Sequence, residues 1–362
     1  MTCVQTASLQ VAATTTGVDL DPDGYVIQID GAIDHRGAGL PVNGNVTVAG
    51  LVPGDYTVRL IGTAPNCTVT SPNPTTVTLS GGATGSAAFT ADCTAAATLA
   101  FAQNGDIYRM KTNGSGLSRL TTDSGYEDTP AWSPGGSQIA FRRDTAGNPE
   151  VYVMSANGLG PTRLTRQTGA DYLPSWSSTG KIAFVSERTG DQEIFVMNPD
   201  GTGVTNLTNN SGLDTDPAWS PDGSKIAFQS TRDNANGSIY VMVADGTGVT
   251  RITTGGADGH PTWSPDGTKL AFHRSNCSGN VCEHDLFVVN AADGSGLTPL
   301  VSGSDDQADP AWSADGAWIA FDVASCDSYY GCTNYWRIAV VRSDGTDVRD
   351  IVGNARHAAW TP

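Results

Sequence analysis

The 362-residue sequence has no apolar run long enough to cross a membrane as a helix, and no basic-then-apolar leader opens it. Charge is scarce. Only 16% of residues are charged, with 20 Lys and Arg residues and 37 Asp and Glu residues. The formal charge of -17 is unsuited to a phosphate backbone, which is bound by clustered Lys and Arg. Nucleic acid is therefore excluded as a main partner.

Signatures of common enzyme classes are also missing: the sequence has no G-x-S-x-G, no P-loop, no H-E-x-x-H and no C-x-x-C. It is instead rich in Gly, with 43 copies, and in Thr, Ser, Asn and Asp. This composition is typical of short strands joined by tight turns. We therefore expect an all-β protein, and the length suggests two domains.

An internal repeat dominates the chain after residue 98. Four copies of one segment start at residues 128, 215, 259 and 308, as in TDPAWSPDGSKIAF at 215–228, and a shorter copy spans 172–184. The repeated tryptophans are 43 to 49 residues apart: Trp132, Trp176, Trp219, Trp263, Trp312 and Trp360. A period of about 40 to 50 residues is that of a four-stranded propeller blade.

Six Asn-Gly or Asp-Gly turns accompany these tryptophans, so we expect a six-bladed β-propeller over residues 95–362. The sixth Trp motif, His357 to Trp360, lies at the end of the chain without a blade after it. Three strand-like runs between Thr98 and Thr121 lack such a motif. We predict that the C-terminal strand joins these three runs in one blade and leaves no open edge.

The WSPDG, IAF, DG and LT pattern resembles the TolB-like propeller repeat of bacterial periplasmic and secreted proteins. The resemblance covers about 98–362, and no TolB N-terminal domain precedes it. It implies a location outside the cytoplasm, secreted, periplasmic or on the outer cell surface. The repeat occurs in protein-binding scaffolds, in sugar-handling lyases and beside peptidase domains, so the resemblance identifies architecture rather than activity.

Residues 1–94 have a different pattern. Seven alternating runs between Ser8 and Ala91 are separated by Gly, Pro, Asn and Asp, which predicts a β-sandwich. The stretch GLVPGDYTVRL at 50–60 resembles immunoglobulin-like or carboxypeptidase-regulatory-like modules of secreted bacterial proteins. Such modules are usually spacers or adhesive units.

The seven cysteines favour an oxidising compartment, because six of them form local pairs. We predict three disulfides: Cys67 with Cys93, Cys277 with Cys282, and Cys326 with Cys332. The alternative reading of His273, Cys277, Cys282 and His284 is a zinc site. The next repeat carries a cysteine pair in the same place without histidine, which favours disulfides. Cys3 is either a lipid anchor or the last residue of a lost upstream copy of the first domain.

Two sets of residues are candidate sites. The position three before each Trp should face the channel mouth, and it holds Thr129, Leu173, Asp216, His260, Asp309 and His357, with Arg356 beside the last. We expect Asp216, His260, Asp309, His357 and Arg356 to bind a polar ligand. The acids two positions further back, such as Asp214 and Asp258, are expected near the same axis. TolB-like lyases resemble this arrangement in placing metal-binding His here, although we favour a polar ring with weak or no metal.

The second set is Asp19, Asp21, Asp23 and Asp30, whose spacing matches a calcium-binding loop. An acidic hairpin loop explains the same residues, and calcium is the one cofactor that the sequence suggests. We expect an extracellular or periplasmic binding protein that recognises a protein or polysaccharide. The alternatives are a polysaccharide lyase using His260 or His357, with Arg274 or Arg356 neutralising a uronate, and a structural subunit of a surface assembly.

Overall fold

The computed structural model describes residues 5–278, 281–303, 305–327 and 331–362, and within these the side chains of 276–278, 281–282, 326–327 and 331–335 are left undescribed. Cys3 lies outside the described residues. Strands β1 to β32 carry the whole described secondary structure, which confirms the all-β prediction. No described helix is long and apolar enough to cross a membrane.

The chain divides into two compact units. One comprises the residues up to 97 with 111–116, and the other 98–110 with 117–362. The first unit has eight strands in two four-stranded sheets, ordered β4-β1-β8-β6 and β3-β2-β5-β7. The strands are β1 Ala7–Gly17, β2 Tyr25–Gly31, β3 His35–Leu40, β4 Gly44–Leu51, β5 Gly54–Ile61, β6 Cys67–Val69, β7 Thr75–Leu79 and β8 Thr84–Cys93.

Both sheets contribute to one hydrophobic core. Alternate residues of each strand are buried, such as Leu9 and Val11 from β1 and Ile27 and Ile29 from β2. Seven of the eight strands follow the alternation that the sequence shows. Strand β3 was not predicted, because its sequence HRGAGL buries only Leu40 fully and has no apolar alternation. The relation of this unit to immunoglobulin-like modules stays a prediction.

The predicted disulfide between Cys67 and Cys93 is present and joins β6 to β8. In the other two predicted pairs the backbones of the two cysteines lie opposite each other across antiparallel strands. Their side chains are outside the described part of the structure, so those two disulfides stay predictions.

The second unit contains six four-stranded antiparallel sheets, which we number as ring sheets 1 to 6. Ring sheet 1 is ordered β11-β10-β9-β32, and each of ring sheets 2 to 6 takes four consecutive strands, from β12–β15 to β28–β31. The strands of ring sheets 1 to 3 are β9 Thr98–Gln103, β10 Asp106–Lys111, β11 Ser118–Arg119, β12 Tyr126–Trp132, β13 Gln138–Thr145, β14 Asn148–Ser155, β15 Thr162–Arg163, β16 Asp171–Trp176, β17 Ile182–Ser186, β18 Glu193–Met197 and β19 Thr205–Asn206.

The remaining strands are β20 Asp214–Trp219, β21 Lys225–Ser230, β22 Ser238–Val243, β23 Thr250–Arg251, β24 Ala257–Trp263, β25 Lys269–Ser278, β26 Val281–Asn290, β27 Thr298–Val301, β28 Asp306–Trp312, β29 Trp318–Asp327, β30 Gly331–Arg342, β31 Arg349–Gly353 and β32 Ala355–Trp360. The strand that ends in the repeated Trp is the innermost of each sheet. Each innermost strand contacts the next one along the ring, and β32 contacts β12, so the ring is closed.

Closure depends on the two ends of this unit. The C-terminal strand β32 pairs with β9, with Trp360 opposite Leu99 and Ala355 opposite Gln103. The predicted sharing of one sheet between the two ends is therefore observed. Tryptophan also joins neighbouring sheets, since Trp360 Nε1 donates a hydrogen bond to the Ala311 carbonyl at 2.8 Å.

The repeated Ile-Ala-Phe segment forms the interior of each sheet. In ring sheet 4, Ile226, Ala227 and Phe228 are completely buried, and the corresponding residues of the other repeats are buried as well. Apolar side chains thus cover both faces of these strands, as stacking between neighbouring sheets requires.

We expect deletion of residues 357–362 to destabilise the whole ring. Truncating one buried Trp costs about 3–5 kcal/mol, and each kcal/mol moves the Tm of a domain of this size by about 2–4 °C. Thermal unfolding should show a Tm at least about 6 °C lower in a single cooperative transition. Removing only the exposed Pro362 is the control and should change little. A wild-type Tm in the longer deletion would contradict closure by β32.

We also expect Cys277 to be bonded to Cys282 and Cys326 to Cys332, because each pair is directly opposed in an antiparallel ladder. Peptide mapping without reductant should recover both cross-linked peptides. Alkylation of a thiol at any of these four positions in the native protein would show that the prediction is wrong.

Candidate functional site

Each innermost strand of the ring contains a β-bulge three residues before its Trp. The register of pairing shifts there in all six ring sheets. One residue of each bulge has a left-handed backbone with φ between 48° and 56°: Thr129, Leu173, Asp216, His260, Asp309 and His357. A bulge inserts an extra residue and redirects its side chain.

These six residues line one central pocket of about 310 Å³. The residue after each bulge residue also lines it, and in five sheets that residue is proline, which lacks an amide hydrogen and is tolerated at bulges. The structure therefore brings Asp216, His260, Asp309 and His357 together at the position expected from their spacing. That they bind a ligand stays a prediction.

Backbone conformation alone does not explain why Asp and His occupy these positions. Asp and His tolerate a left-handed backbone better than most residues. Leu173 and Thr129, however, adopt the same conformation in ring sheets 3 and 2, so the bulge forms without a titratable side chain. Four consecutive ring sheets, 4, 5, 6 and 1, nevertheless carry Asp, His, Asp and His in that order. The pocket wall therefore carries titratable side chains on one side and Thr129 and Leu173 on the other.

The four titratable residues form a chain of contacts across three sheet interfaces. His260 Nδ1 lies 2.7 Å from Asp309 Oδ1, and His260 Nε2 lies 3.4 Å from Asp216 Oδ1. His357 Nε2 lies 3.3 Å from Asp309 Oδ2. His260 thus bridges two carboxylates, and Asp309 lies between two imidazoles.

A second layer of polar residues, which sequence reasoning missed, supports this chain. In each ring sheet, the residue that follows Ala-Phe lies opposite the residue that precedes the bulge, on the neighbouring antiparallel strand. Asp322 and Ala308 are such a pair. Asp322 is completely buried, and its Oδ1 and Oδ2 accept hydrogen bonds from the His357 backbone N–H at 2.9 and 3.0 Å. The signal that could have identified it is the position after IAF, which varies from repeat to repeat while the preceding Ile/Leu-Ala-Phe is constant.

Two further histidines of ring sheet 5, His273 and His284, extend the cluster. The ring of His273 lies 5.0 Å from that of His260 and 4.6 Å from that of His284, and His284 Nδ1 lies 2.5 Å from Asp306 Oδ1. Gly259 leaves the space that His273 occupies, because a Cβ there would lie 2.8 Å from His273 Nε2.

Burial and ion pairing divide the titratable groups into charged and neutral ones. Burial opposes protonation of His260, but Asp216 and Asp309 outweigh it and raise the pKa of His260 to about 10. Burial would raise the pKa of Asp309, but His260 holds it well below its usual range. Burial and the neighbouring Asp309 raise the pKa of Asp322 well above its usual range. Burial lowers the pKa of both His357 and His273, which keeps these imidazoles neutral near pH 7.

The acids two positions before the bulge residues do not line the pocket. Asp214 is completely buried and pairs with Arg232 at 3.0 Å, and the Arg232 guanidinium lies between the rings of Phe228 and Tyr240. The same arrangement recurs in three further sheets, with the acid and arginine pairs Glu127 and Arg143, Asp171 and Arg188, and Asp258 and Arg274. These acids hold each sheet together, because an unpaired buried carboxylate would be costly.

Arg356 lies at the edge of the pocket and is already paired. Its Nε is 3.4 Å from Asp322 Oδ2, and its guanidinium lies 4.0 Å from the Trp336 ring centroid. Among the described residues, one group of three metal-ligating side chains has its ligand atoms within 4.8 Å of one another: Asp309, Asp322 and His357.

Three of the four aspartates of the calcium hypothesis, Asp19, Asp21 and Asp30, have partners within the protein. Asp21 Oδ2 accepts a hydrogen bond from the Ala64 backbone N–H at 2.6 Å, and Asp30 Oδ1 lies 3.0 Å from His35 Nδ1. Asp23 is exposed. Calcium binding at these four residues stays a prediction.

Comparisons with known proteins agree with this geometry. A family model described as TolB beta propeller domain matches residues 167–362, and one described as Tricorn protease N-terminal beta propeller domain matches residues 90–193. The ring of four-stranded sheets defines the class of protein as a β-propeller. The chain belongs to the TolB β-propeller domain family.

Solved structures show the same fold at low identity. TolB from Acinetobacter baumannii is 23% identical with a TM-score of 0.61, covering 74% of this chain and 67% of that one. A putative TolB from Agrobacterium tumefaciens is 20% identical with a TM-score of 0.58, covering 72% and 91%. A chain of a nidogen/laminin complex is 15% identical with a TM-score of 0.57, covering 74% and 98%. A search of curated proteins found no match.

We expect His260 to make folding stability pH-dependent above neutrality. Because its pKa in the folded protein is about 10 against an ordinary value of 6.5, its contribution is fully present below pH 6.5 and is lost as pH rises to about 10. Urea unfolding at pH 6, 8 and 10 should therefore show a steeper loss of stability in the wild type than in His260→Asn. Parallel pH profiles for the two proteins would contradict this charge assignment.

Proposed function

We propose that this protein is a binding scaffold of the bacterial envelope or exterior, whose propeller recognises a protein partner at the central pocket. The observation that carries the proposal is the convergence of the six bulge residues on one pocket, with Asp and His alternating on four consecutive sheets. Residues other than glycine that have a left-handed backbone conformation commonly cluster at functional sites. The repeated Ser-Pro-Asp-Gly residues at the turns are explained by turn chemistry alone. They therefore do not point to a binding site, as the pocket residues do.

The envelope location is supported by the family and by the disulfide between Cys67 and Cys93. We interpret each ring sheet as one blade and the N-terminal unit as a spacer that presents the propeller. Lipid attachment at Cys3 stays a prediction. A polysaccharide is the alternative partner, and the experiment below includes it.

A polysaccharide lyase is less well supported. Such an enzyme needs a free cation to neutralise a uronate carboxylate, and the two candidate arginines are engaged elsewhere. Arg274 contacts Asp258 through Nε at 2.6 Å and NH2 at 2.9 Å. Arg356 lies between Asp322 and the Trp336 ring. Among the described residues, we find no contact that favours the third alternative, a subunit of a surface assembly.

The proposal predicts that binding depends on the pocket and not on the turn tips. Immobilised wild type should enrich one or a few envelope proteins, identified by mass spectrometry, and the double variant His260→Ala with His357→Ala should lose them. The variant pair Asp222→Ala with Asp266→Ala, located at turn tips, is the matched control and should retain them.

Each variant is first checked for a wild-type-like melting curve. The same three proteins are also applied to a glycan array, where binding that only the pocket variant loses would favour the polysaccharide alternative. Loss of binding in the turn-tip variant alone would refute the assignment of the site.

A further inference from the structure

A second cavity, of about 230 Å³, lies beside the central pocket, and His357 lines both. We call this second cavity the lateral groove. Three neighbouring ring sheets contribute to its lining. The residues that matter below are Asn104, Gly105, Asn354 and Arg356 from ring sheet 1, Tyr126 from ring sheet 2 and Trp336 from ring sheet 6.

Differences in hairpin length explain why a groove forms here. In ring sheet 1 the strand β9 ends two residues after Phe101. The corresponding strands of ring sheets 2 and 6 continue four residues beyond Phe141 and six residues beyond Phe321. Ring sheets 2 and 6 are the neighbours of ring sheet 1. A short hairpin therefore lies between two longer ones, which leaves a depression over its turn.

One side of the lateral groove carries an exposed aromatic ring. Tyr126 is 53% exposed, and Gly105 leaves room for it, because a Cβ on Gly105 would lie 3.1 Å from Tyr126 Cδ2. The same position, three residues before the bulge residue, holds Ala170 in ring sheet 3 and Ala257 in ring sheet 5. The strand therefore does not require an aromatic side chain at this position.

Two side-chain amides lie next to each other in the lateral groove. Asn354 Nδ2 donates a hydrogen bond to Asn104 Oδ1 at 3.1 Å. This bond uses neither Asn104 Nδ2 nor Asn354 Oδ1, so one donor and one acceptor remain on adjacent amides. Both residues have a left-handed backbone, with φ of 54° and 61°. Asparagine suits that conformation, but glycine would suit it at least as well and would supply no amide.

Arg356 contributes further donors and is held in place. Its Nε lies 3.4 Å from Asp322 Oδ2, and its guanidinium lies 4.0 Å from the centroid of the Trp336 ring. Its Nη2 is 3.9 Å from Asp309 Oδ2, which is too far for a hydrogen bond, and the side chain is 39% exposed. A side chain that is already fixed loses little conformational entropy when it binds a ligand.

We infer that the lateral groove binds a neutral hexopyranose unit of a glycan. The sugar ring stacks on Tyr126, and its hydroxyls bond to Asn104, Asn354 and Arg356. A pyranose combines an apolar C–H face with hydroxyls that both donate and accept, so it requires an aromatic surface beside mixed donors and acceptors. The groove offers these groups together.

Size and charge narrow the class of ligand. A volume of about 230 Å³ is below the usual range for drug-sized ligands, which fits a single sugar ring. Asp309 and Asp322 lie beside Arg356, and the chain has a formal charge of -17, so a uronate is disfavoured. The inference does not rest on the proposed function, whose protein partner binds at the central pocket.

The test uses saturation-transfer NMR on the full-length protein. The probes are the methyl glycosides of glucose, galactose, mannose and N-acetylglucosamine. Tetrahydropyran-2-methanol is the matched control, because it keeps the ring and the hydroxymethyl group but lacks the ring hydroxyls. At least one glycoside should bind saturably at millimolar concentration, and the control should not. The methyl glycoside of glucuronic acid should bind more weakly than that of glucose.

Variants then locate the contact. Tyr126→Ala should weaken glycoside binding by roughly tenfold, because it removes the stacking surface. Asn104→Gly should weaken it by roughly fivefold, since glycine keeps the left-handed backbone and removes one hydrogen-bonding amide. Leu213→Ala, at the position in ring sheet 4 that corresponds to Tyr126, should leave binding unaltered. The comparison of glycosides with the control in the wild type stands by itself if a variant fails to fold.

The inference would be overturned by the absence of saturable binding for all four glycosides, or by equal binding of tetrahydropyran-2-methanol. Tighter binding of the glucuronide would overturn the assignment of a neutral sugar. Glycoside binding that Tyr126→Ala leaves unchanged would place the sugar elsewhere and would also overturn it. The proposed function fails separately, if the variant with His260→Ala and His357→Ala retains the envelope proteins.

Discussion

The left-handed residue of the innermost strand is the constraint on which the rest of this propeller depends. A regular strand would direct alternate side chains into the neighbouring sheets, and no side chain would turn toward the ring axis. The bulge shifts the pairing register by one residue. The unpaired residue needs no amide hydrogen, so a proline such as Pro217 is tolerated there. Six repetitions of this irregularity make a pocket out of six sheets that otherwise present only strand edges.

Charge in the ring is arranged on two levels with different consequences. On the outer level a buried acid pairs with an arginine that packs between two aromatic rings, as Asp214 does with Arg232, so the charge is neutralised within one sheet. On the inner level Asp216, His260 and Asp309 pair across sheet interfaces, and the carboxylates exceed the cations. The outer pairs contribute to the fold of one sheet, whereas the inner group joins neighbouring sheets and lines the central pocket.

Ring closure and the pocket are physically linked through β32. Asp322 of ring sheet 6 accepts the backbone N–H of His357, the bulge residue of the strand that closes ring sheet 1. The same carboxylate lies beside Asp309 at the pocket. A change of charge in the pocket therefore acts directly on the contact between the first and last sheets, since Asp322 participates in both.

The sequence alone determined the strand pattern except for β3, the repeat, the sharing of ring sheet 1 between the two ends and the disulfide between Cys67 and Cys93, because periodicity and turn residues act locally and recur. It also determined which six residues share the bulge position. Only tertiary structure decided that Asp214 and Asp258 pair with arginines instead of facing the axis, that Asp322 supports the pocket, and that Asp30 pairs with His35. Those outcomes depend on the pairing register and on which face of the sheet each side chain occupies, which residue spacing along the chain does not supply.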